Sequence, residues 1–254
     1  MTVIAPVNNK GGVGKTTLTA HLAVYFASRG LRVICADVDT QANLTSLLLG
    51  GQESAGMYNM LVDRKMPPIE TLIQTVTYGG QKFGLLAGEE YQDAMGMLAM
   101  GSRLNLVTER LKIVSGYADV MLLDMPPSKA LGFRQLLAAA DWLLIPTIME
   151  RLSIEGVAKI MEVSAEMGIR LMGIVPNKVR RVREHVEQGR ELMAVLQRMK
   201  RADLLWPPIP ETIRIADAQA VGQTIFEYEP GNPASVQLEE IGARALQILR
   251  GNGK

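Results

Sequence analysis

An apolar segment, Val3–Val7, runs into Asn8-Asn-Lys-Gly-Gly-Val-Gly-Lys-Thr-Thr17, and a helical pattern from Leu18 to Ala27 follows at once. Few local patterns constrain a fold as tightly. Strand, glycine-rich loop and helix in this order cradle phosphate, because loop N–H groups turn inward and the helix N-terminus adds roughly half a positive charge. The run Lys10, Gly11, Gly12, Val13, Gly14, Lys15, Thr16 and Thr17 is therefore the expected nucleotide-binding segment. Lys15 is spaced to reach the β- and γ-phosphates, and the Thr16 hydroxyl to ligate Mg2+. The usual pattern G-x-x-x-x-G-K-[ST] wants glycine at position 9, where this chain has Asn9, a residue that tolerates left-handed backbone. A second lysine, Lys10, sits inside the loop itself.

The rest of the chain alternates short apolar runs with longer helical patterns. Candidate strands are Val3–Val7, Arg32–Ala36, Val120–Leu123, Trp142–Ile145 and Leu171–Val175, with helices near Thr16–Ser28, Ala130–Ala138, Ile154–Glu166, Glu184–Lys200 and Ala234–Leu249. Such alternation predicts an α/β fold: a mostly parallel twisted sheet with helices on both faces. Ligands of these sheets bind at the carboxyl ends of the strands. Gly50–Ser115 is the least regular stretch, rich in Gly and Met (Gly79, Gly80, Met95, Met97, Met100), and reads as a helix–strand–helix insertion with a long helix near Arg103–Val114. At 254 residues the economical expectation is one P-loop domain over residues 1–254.

Composition narrows the chemistry. A single cysteine, Cys35, rules out a disulfide framework or a thiolate cluster and fits a reducing cytoplasm. His21 and His185 lack metal-ligand spacing and read as helix residues. No run approaches a membrane span, and the N-terminus lacks a basic region followed by an apolar core. The net charge of +1 makes no global case for nucleic acid, so any basic surface must be local.

Two acidic segments fall where the phosphate loop needs them. Asp37-Val-Asp39-Thr-Gln41 follows the second candidate strand, and strand alternation would point both carboxylates the same way. An Asp helix cap is the plain alternative for this pair. Val120-Met-Leu-Leu-Asp124-Met-Pro-Pro127 is an apolar strand ending in aspartate, which lifts a carboxylate beside the loop to hold Mg2+ directly or through water.

With these residues in view, the chain resembles the ParA/MinD family of P-loop ATPases, and the short Soj-like ParA proteins within it. Lys10-Gly-Gly-Val-Gly-Lys-Thr-Thr17 is the deviant Walker A motif, and Asp124-Met-Pro-Pro127 matches the family's Walker B ending. Asp37–Gln41 is similar to the D-x-D-P-Q segment, with Thr40 in place of proline. Further likeness lies in Leu144-Ile-Pro-Thr147, Leu152-Ser-Ile-Glu-Gly156 and Ile209-Pro-Glu-Thr-Ile-Arg214-Ile-Ala-Asp-Ala218. The resemblance implies an ATPase using ATP and Mg2+, with weak intrinsic hydrolysis. In it Asp39 positions the attacking water, Asp37 supports the metal or its water shell, and Lys10 reaches the phosphates of a partner subunit. An ATP-dependent homodimer follows. Asn177 would contact the base, and the Pro208–Pro210 loop would cover the base's other side.

The same resemblance implies sequence-nonspecific double-stranded DNA, a ParB-like activator, and a nucleoid-associated role in plasmid or chromosome partition. Lys178–Arg201 offers a local basis, with eight basic residues against three acidic ones. Lys178, Arg180, Arg181 and Arg183, together with Arg214, are the expected DNA contacts, although a solubilising helix face is the plain alternative. With the loop at residue 8, no N-terminal helix-turn-helix domain is expected. Positioning of a protein cargo would share every motif. A MinD-like membrane cycle is disfavoured, because Ser235–Lys254 has three basic and two acidic residues and no bulky aromatic. An iron-protein relative would need paired cluster cysteines.

Overall fold

The computed structural model describes residues 1–51, 56–61, 66–88, 106–127 and 133–251. Seven strands form one sheet: β1 (Thr2–Pro6), β2 (Val33–Asp37), β3 (Ile73–Tyr78), β4 (Gln81–Leu86), β5 (Val120–Asp124), β6 (Trp142–Ile148) and β7 (Arg170–Asn177). Their order across the sheet is β3-β4-β2-β5-β1-β6-β7, parallel throughout except for the β3–β4 pair at one edge. Every residue of β2 and β5 is buried, which explains why these strands read as unbroken apolar runs. Alternation sorts their side chains onto two faces. Val3, Ala5, Ile34, Ala36, Met121 and Leu123 pack into one apolar layer with Leu111, Val157, Ile160 and Leu192 from the helices above it. Ile4, Val33, Cys35, Val120 and Leu122 pack into the other, with Leu18, Leu22 and Phe26 of the helix Lys15–Ser28 and Leu238 and Ile241 of the helix Pro233–Gly251. Helices thus cover both faces, as the alternation predicts.

The expected strands all form, each shifted or lengthened by one to three residues. The larger correction lies in the insertion. Instead of one strand it contributes two, β3 and β4, joined as a hairpin through Gly79 (φ +59) and Gly80 (φ +64). Two consecutive left-handed residues are what a tight hairpin matching strand twist demands, and glycine supplies them without a Cβ clash. β4 then joins the sheet parallel to β2. The helix near Arg103–Val114 is observed as Leu106–Ile113, and that near Ala130–Ala138 as Phe133–Leu137. Met95, Met97 and Met100 lie outside the described residues.

Two consequences of this order position the site. β1 lies between β5 and β6, so the loop leaving β1 emerges beside the end of β5. β2 and β5 pair in a register that sets Asp37 directly opposite Asp124.

Candidate active site

Gly14 is the pivot of the loop. It takes φ +98 as the residue preceding the helix Lys15–Ser28, and a Cβ there would lie 2.2 Å from the Asn177 side-chain nitrogen. Both the backbone angle and the close approach exclude any other residue. Asn177 ends β7, and its amide donates to the Val13 carbonyl at 2.8 Å, so the far edge of the sheet braces the loop. Its Oδ1 accepts the Lys178 N–H at 2.9 Å. Asn177 borders the cavity, and its polar atoms are engaged in holding the chain.

A cavity of about 970 Å³ opens above the loop, lined by Gly11, Gly12, Gly14, Lys15, Thr16 and Thr17 on one side. Asp39, Gln41 and Pro127 also line it, as do Asn177, which touches the loop, and the strip Lys178 and Pro210–Ile213. Its size suits a nucleotide, and it sits at the carboxyl ends of the strands. The Thr16 hydroxyl donates to Asp124 Oδ2 at 2.7 Å, joining the helix start to the end of β5. Thr16 and Asp124 make a hard oxygen pair of the kind Mg2+ uses when phosphates and water complete its octahedron. Lys15 is nearly buried. Burial lowers its pKa, while the Asp124 and Asp39 carboxylates oppose that shift.

Burial, then the charge of Asp37, push Asp124 up to about 8, against the pull of the Thr16 hydrogen bond and Lys15. A buried carboxylate that resists ionising alone is one whose charge a bound cation would stabilise. Glycine loop, buried lysine and oxygen pair together fit a nucleotide with its magnesium ion.

Asp37 and Asp39 part company. Asp39 borders the cavity, with Oδ1 accepting the Gln41 N–H at 3.1 Å. Asp37 is enclosed instead: Oδ2 accepts the Thr45 N–H at 2.8 Å and the Thr45 hydroxyl at 2.9 Å, and Oδ1 accepts the Asp39 N–H. Gly88 covers it, where a Cβ would lie 2.8 Å from the Asp37 carbonyl oxygen. Burial raises Asp37 to about 6 in spite of these bonds. Asp37 thus lies behind the cavity lining, opposite Asp124 in the β2–β5 register, and ties the Asp39 loop to Thr45. Alternation does not carry past Asp37 because β2 ends there, and the carboxylate turns to the first turn of the helix Asn43–Leu49.

Lys10 does not line the cavity. Its ammonium pairs with Glu150, just ahead of the helix Arg151–Met167. Asn8, fully buried, donates to the Pro146 carbonyl at 2.7 Å and accepts the Lys10 N–H at 3.0 Å.

The expected DNA contacts gather around two strips of chain. Val179 N–H donates to the Ile209 carbonyl at 3.0 Å, and Glu211 N–H to the Val179 carbonyl at 3.0 Å, so the arginine turn lies along the segment that walls the cavity. Arg180 pairs with Glu211 (3.4 Å) and Arg183 with Glu187 (2.6 Å), while Arg214 pairs with Asp217 (3.1 Å) and Glu229 (3.3 Å). Arg181 and Lys178 are exposed and make no ion pair among the described residues. His185, which the sequence marks only as a helix residue, accepts the Arg180 N–H at 3.0 Å and so fixes the turn. His21 does similar work: Nδ1 donates to the Thr17 carbonyl at 2.7 Å while Nε2 accepts the Ile225 N–H at 3.4 Å, and burial lowers its pKa to about 4, which keeps it neutral. No spacing rule announces either histidine.

Comparison with known proteins agrees with this geometry. A protein-family model described as an AAA domain matches residues 1–171. The chain is 34% identical over 244 residues to the chromosome-partitioning ATPase Soj of Thermus thermophilus, covering 91% of this chain and 90% of that protein. Apo McdA of Cyanothece superposes with a TM-score of 0.82 at 22% identity, over 97% of this chain and 99% of that one. The cell division ATPase MinD of Pyrococcus furiosus gives 0.81 at 22% identity, again over 97% and 99%.

Proposed function

The chain belongs to the ParA/Soj/MinD family of P-loop ATPases, whose cofactors are ATP and Mg2+, and from that premise we propose a nucleotide-controlled partition ATPase. In this reading residues 1–254 act as one ATPase domain that dimerises around ATP. The dimer binds DNA without sequence preference, and a ParB-like protein stimulates hydrolysis to move a DNA cargo.

Phosphoryl transfer asks a protein for positioning and charge neutralisation more than for covalent chemistry. Lys15, held in a nearly buried position between Asp124 and Asp39, neutralises phosphate charge from its own subunit. Thr16 and Asp124 would hold Mg2+, which supplies further neutralisation on the phosphate oxygens. Asp39, in the cavity lining, orients the attacking water. Lys10 serves the phosphates of the partner subunit, which makes the complete site a property of two chains. Asp37 keeps the Asp39 loop in place through the Asp39 N–H.

The observation that carries the DNA reading is the shared wall. The arginine turn is hydrogen-bonded to the Pro210–Ile213 strip, and that strip lines the nucleotide cavity. Filling the cavity can therefore reset the basic surface. A membrane cycle through the helix Pro233–Gly251 finds less support, because its Leu238, Ile241, Ala245 and Leu246 are spent on the core.

The test is Asp39→Ala with ATP and Mg2+, followed by size-exclusion chromatography and DNA mobility shift. The expected result is a stable dimer that retains DNA. A monomer under these conditions would overturn the sandwich mechanism. A dimer that ignores DNA would keep the ATP switch and discard the DNA cargo.

A further inference from the structure

The corner between β6 and the helix Arg151–Met167 is built around Lys10, a residue outside the cavity it is meant to serve. Pro146 gives its carbonyl to Asn8, and Asn8 in turn receives the Lys10 N–H. Gly156, on the same helix, packs beside the turn, where a Cβ would lie in ordinary contact 3.4 Å from Asn8 Oδ1. Ser153 Oγ ties the corner shut, 2.9 Å from the Thr147 hydroxyl and 3.3 Å from the Ile148 N–H. Glu150 is extended (φ −132, ψ 143), and its carbonyl accepts N–H groups from Ser153 and Ile154. Its carboxylate therefore leaves a fixed backbone and meets the Lys10 ammonium across 140 residues of sequence.

A lysine held this way cannot at the same moment reach into a second subunit. The geometry points to Glu150 as a positioning residue that holds Lys10 within its own chain and sets how much nucleotide and protein are needed before two subunits close. The inference rests on the reading of Lys10 as the residue that acts across the dimer.

Magnitudes can be bounded. Lys10 and Glu150 side chains are 36% and 52% exposed, and partly exposed pairs contribute about 0.2–1 kcal/mol, or roughly 1.4- to 5-fold. Each dimer must open two such pairs, so the factors multiply. The dimer dissociation constant should shift by roughly 2- to 30-fold. That range suits a threshold, and is too small for a lock.

Glu150→Gln keeps the shape and removes the charge. Sedimentation velocity with a non-hydrolysable ATP analogue and Mg2+ should show it dimerising at roughly 2- to 30-fold lower protein concentration than the parent chain. Amine-selective acylation of the nucleotide-free protein, read by mass spectrometry against Lys82 and Lys112, should label Lys10 roughly 1.4- to 5-fold faster in the variant. Weaker or unchanged dimerisation, or unchanged labelling, overturns the positioning role. So does an equal effect of Glu150→Gln in a Lys10→Ala background, since the charge would then act on something else. Lys10→Ala alone tests the underlying reading: if that variant dimerises as well as the parent chain, the cross-subunit lysine is wrong, whatever Glu150 does.

Discussion

The two walls of the nucleotide cavity are made of different material. On the loop side the polar groups are buried and tied: Asn8 to Pro146, Asn177 to Val13, Thr16 to Asp124, Asp37 to Thr45. On the other side the cavity is bounded by the Pro210–Ile213 strip, and the arginines beside that strip stand in solvent, with Arg180, Arg183 and Arg214 side chains 57%, 92% and 49% exposed and each paired with a carboxylate. Buried polar groups that lose a partner cost roughly 1–3 kcal/mol, whereas exposed ion pairs are worth roughly 0–1 kcal/mol and exchange readily. The first wall is preorganised for a ligand that must sit in one geometry. The second can trade its own carboxylates for phosphates at little cost, which suits a partner recognised by charge alone.

If that contrast is right, the largest effects come from the loop wall. Gly14→Ala forces a side chain into a left-handed position costing roughly 1–2 kcal/mol and breaks the Asn177–Val13 bond, worth about 1 kcal/mol. Titration calorimetry should show ATP affinity falling roughly 30- to 150-fold. A change under threefold would mean that the loop is as adaptable as the arginine wall. The next effect is a pH dependence. Without metal, Asp124 is held near 8 by burial and by Asp37. A cation must displace that proton, so Mg2+ affinity in the presence of nucleotide should drop as pH falls below about 8, by up to roughly tenfold per unit. Asp124→Asn should flatten the slope. An equally steep slope in that variant would assign the proton to another group.

How much of this was legible in the sequence differs between the same two walls. The phosphate loop and Asp124 can be read directly, because a glycine-rich turn and a strand-ending aspartate are dictated by backbone geometry over a few residues. The parallel sheet follows from the buried runs of β2 and β5. The Gly79-Gly80 hairpin was equally readable from its left-handed pair, yet composition drew attention to its glycines without their turn. Asp37 and Asp39 differ in setting for a physical reason: periodicity gives direction only while the strand lasts, and β2 ends at Asp37. Glu150, Asn177 and His185 could not be read at all as partners. Two of their bonds close 140- and 164-residue gaps, and the third is a local bond that no motif encodes.

The smallest effects belong to the arginine wall, and they separate charge from shape. Arg181 makes no ion pair among the described residues, so it has the least to give up to a phosphate. Arg181→Gln should lower the slope of log affinity against log salt by about 0.9 per contact, or roughly 2 for a two-fold dimer. His185→Ala should do something different. Removing the acceptor frees the Arg180 N–H and loosens the turn without removing charge, so the salt slope should stay constant while DNA affinity falls about two- to fivefold. ATP affinity should change by less than about twofold, since His185 lies off the cavity lining. If instead His185→Ala weakens ATP as much as DNA, the arginine turn is part of the rigid wall, and the two sides of the cavity form one preorganised site.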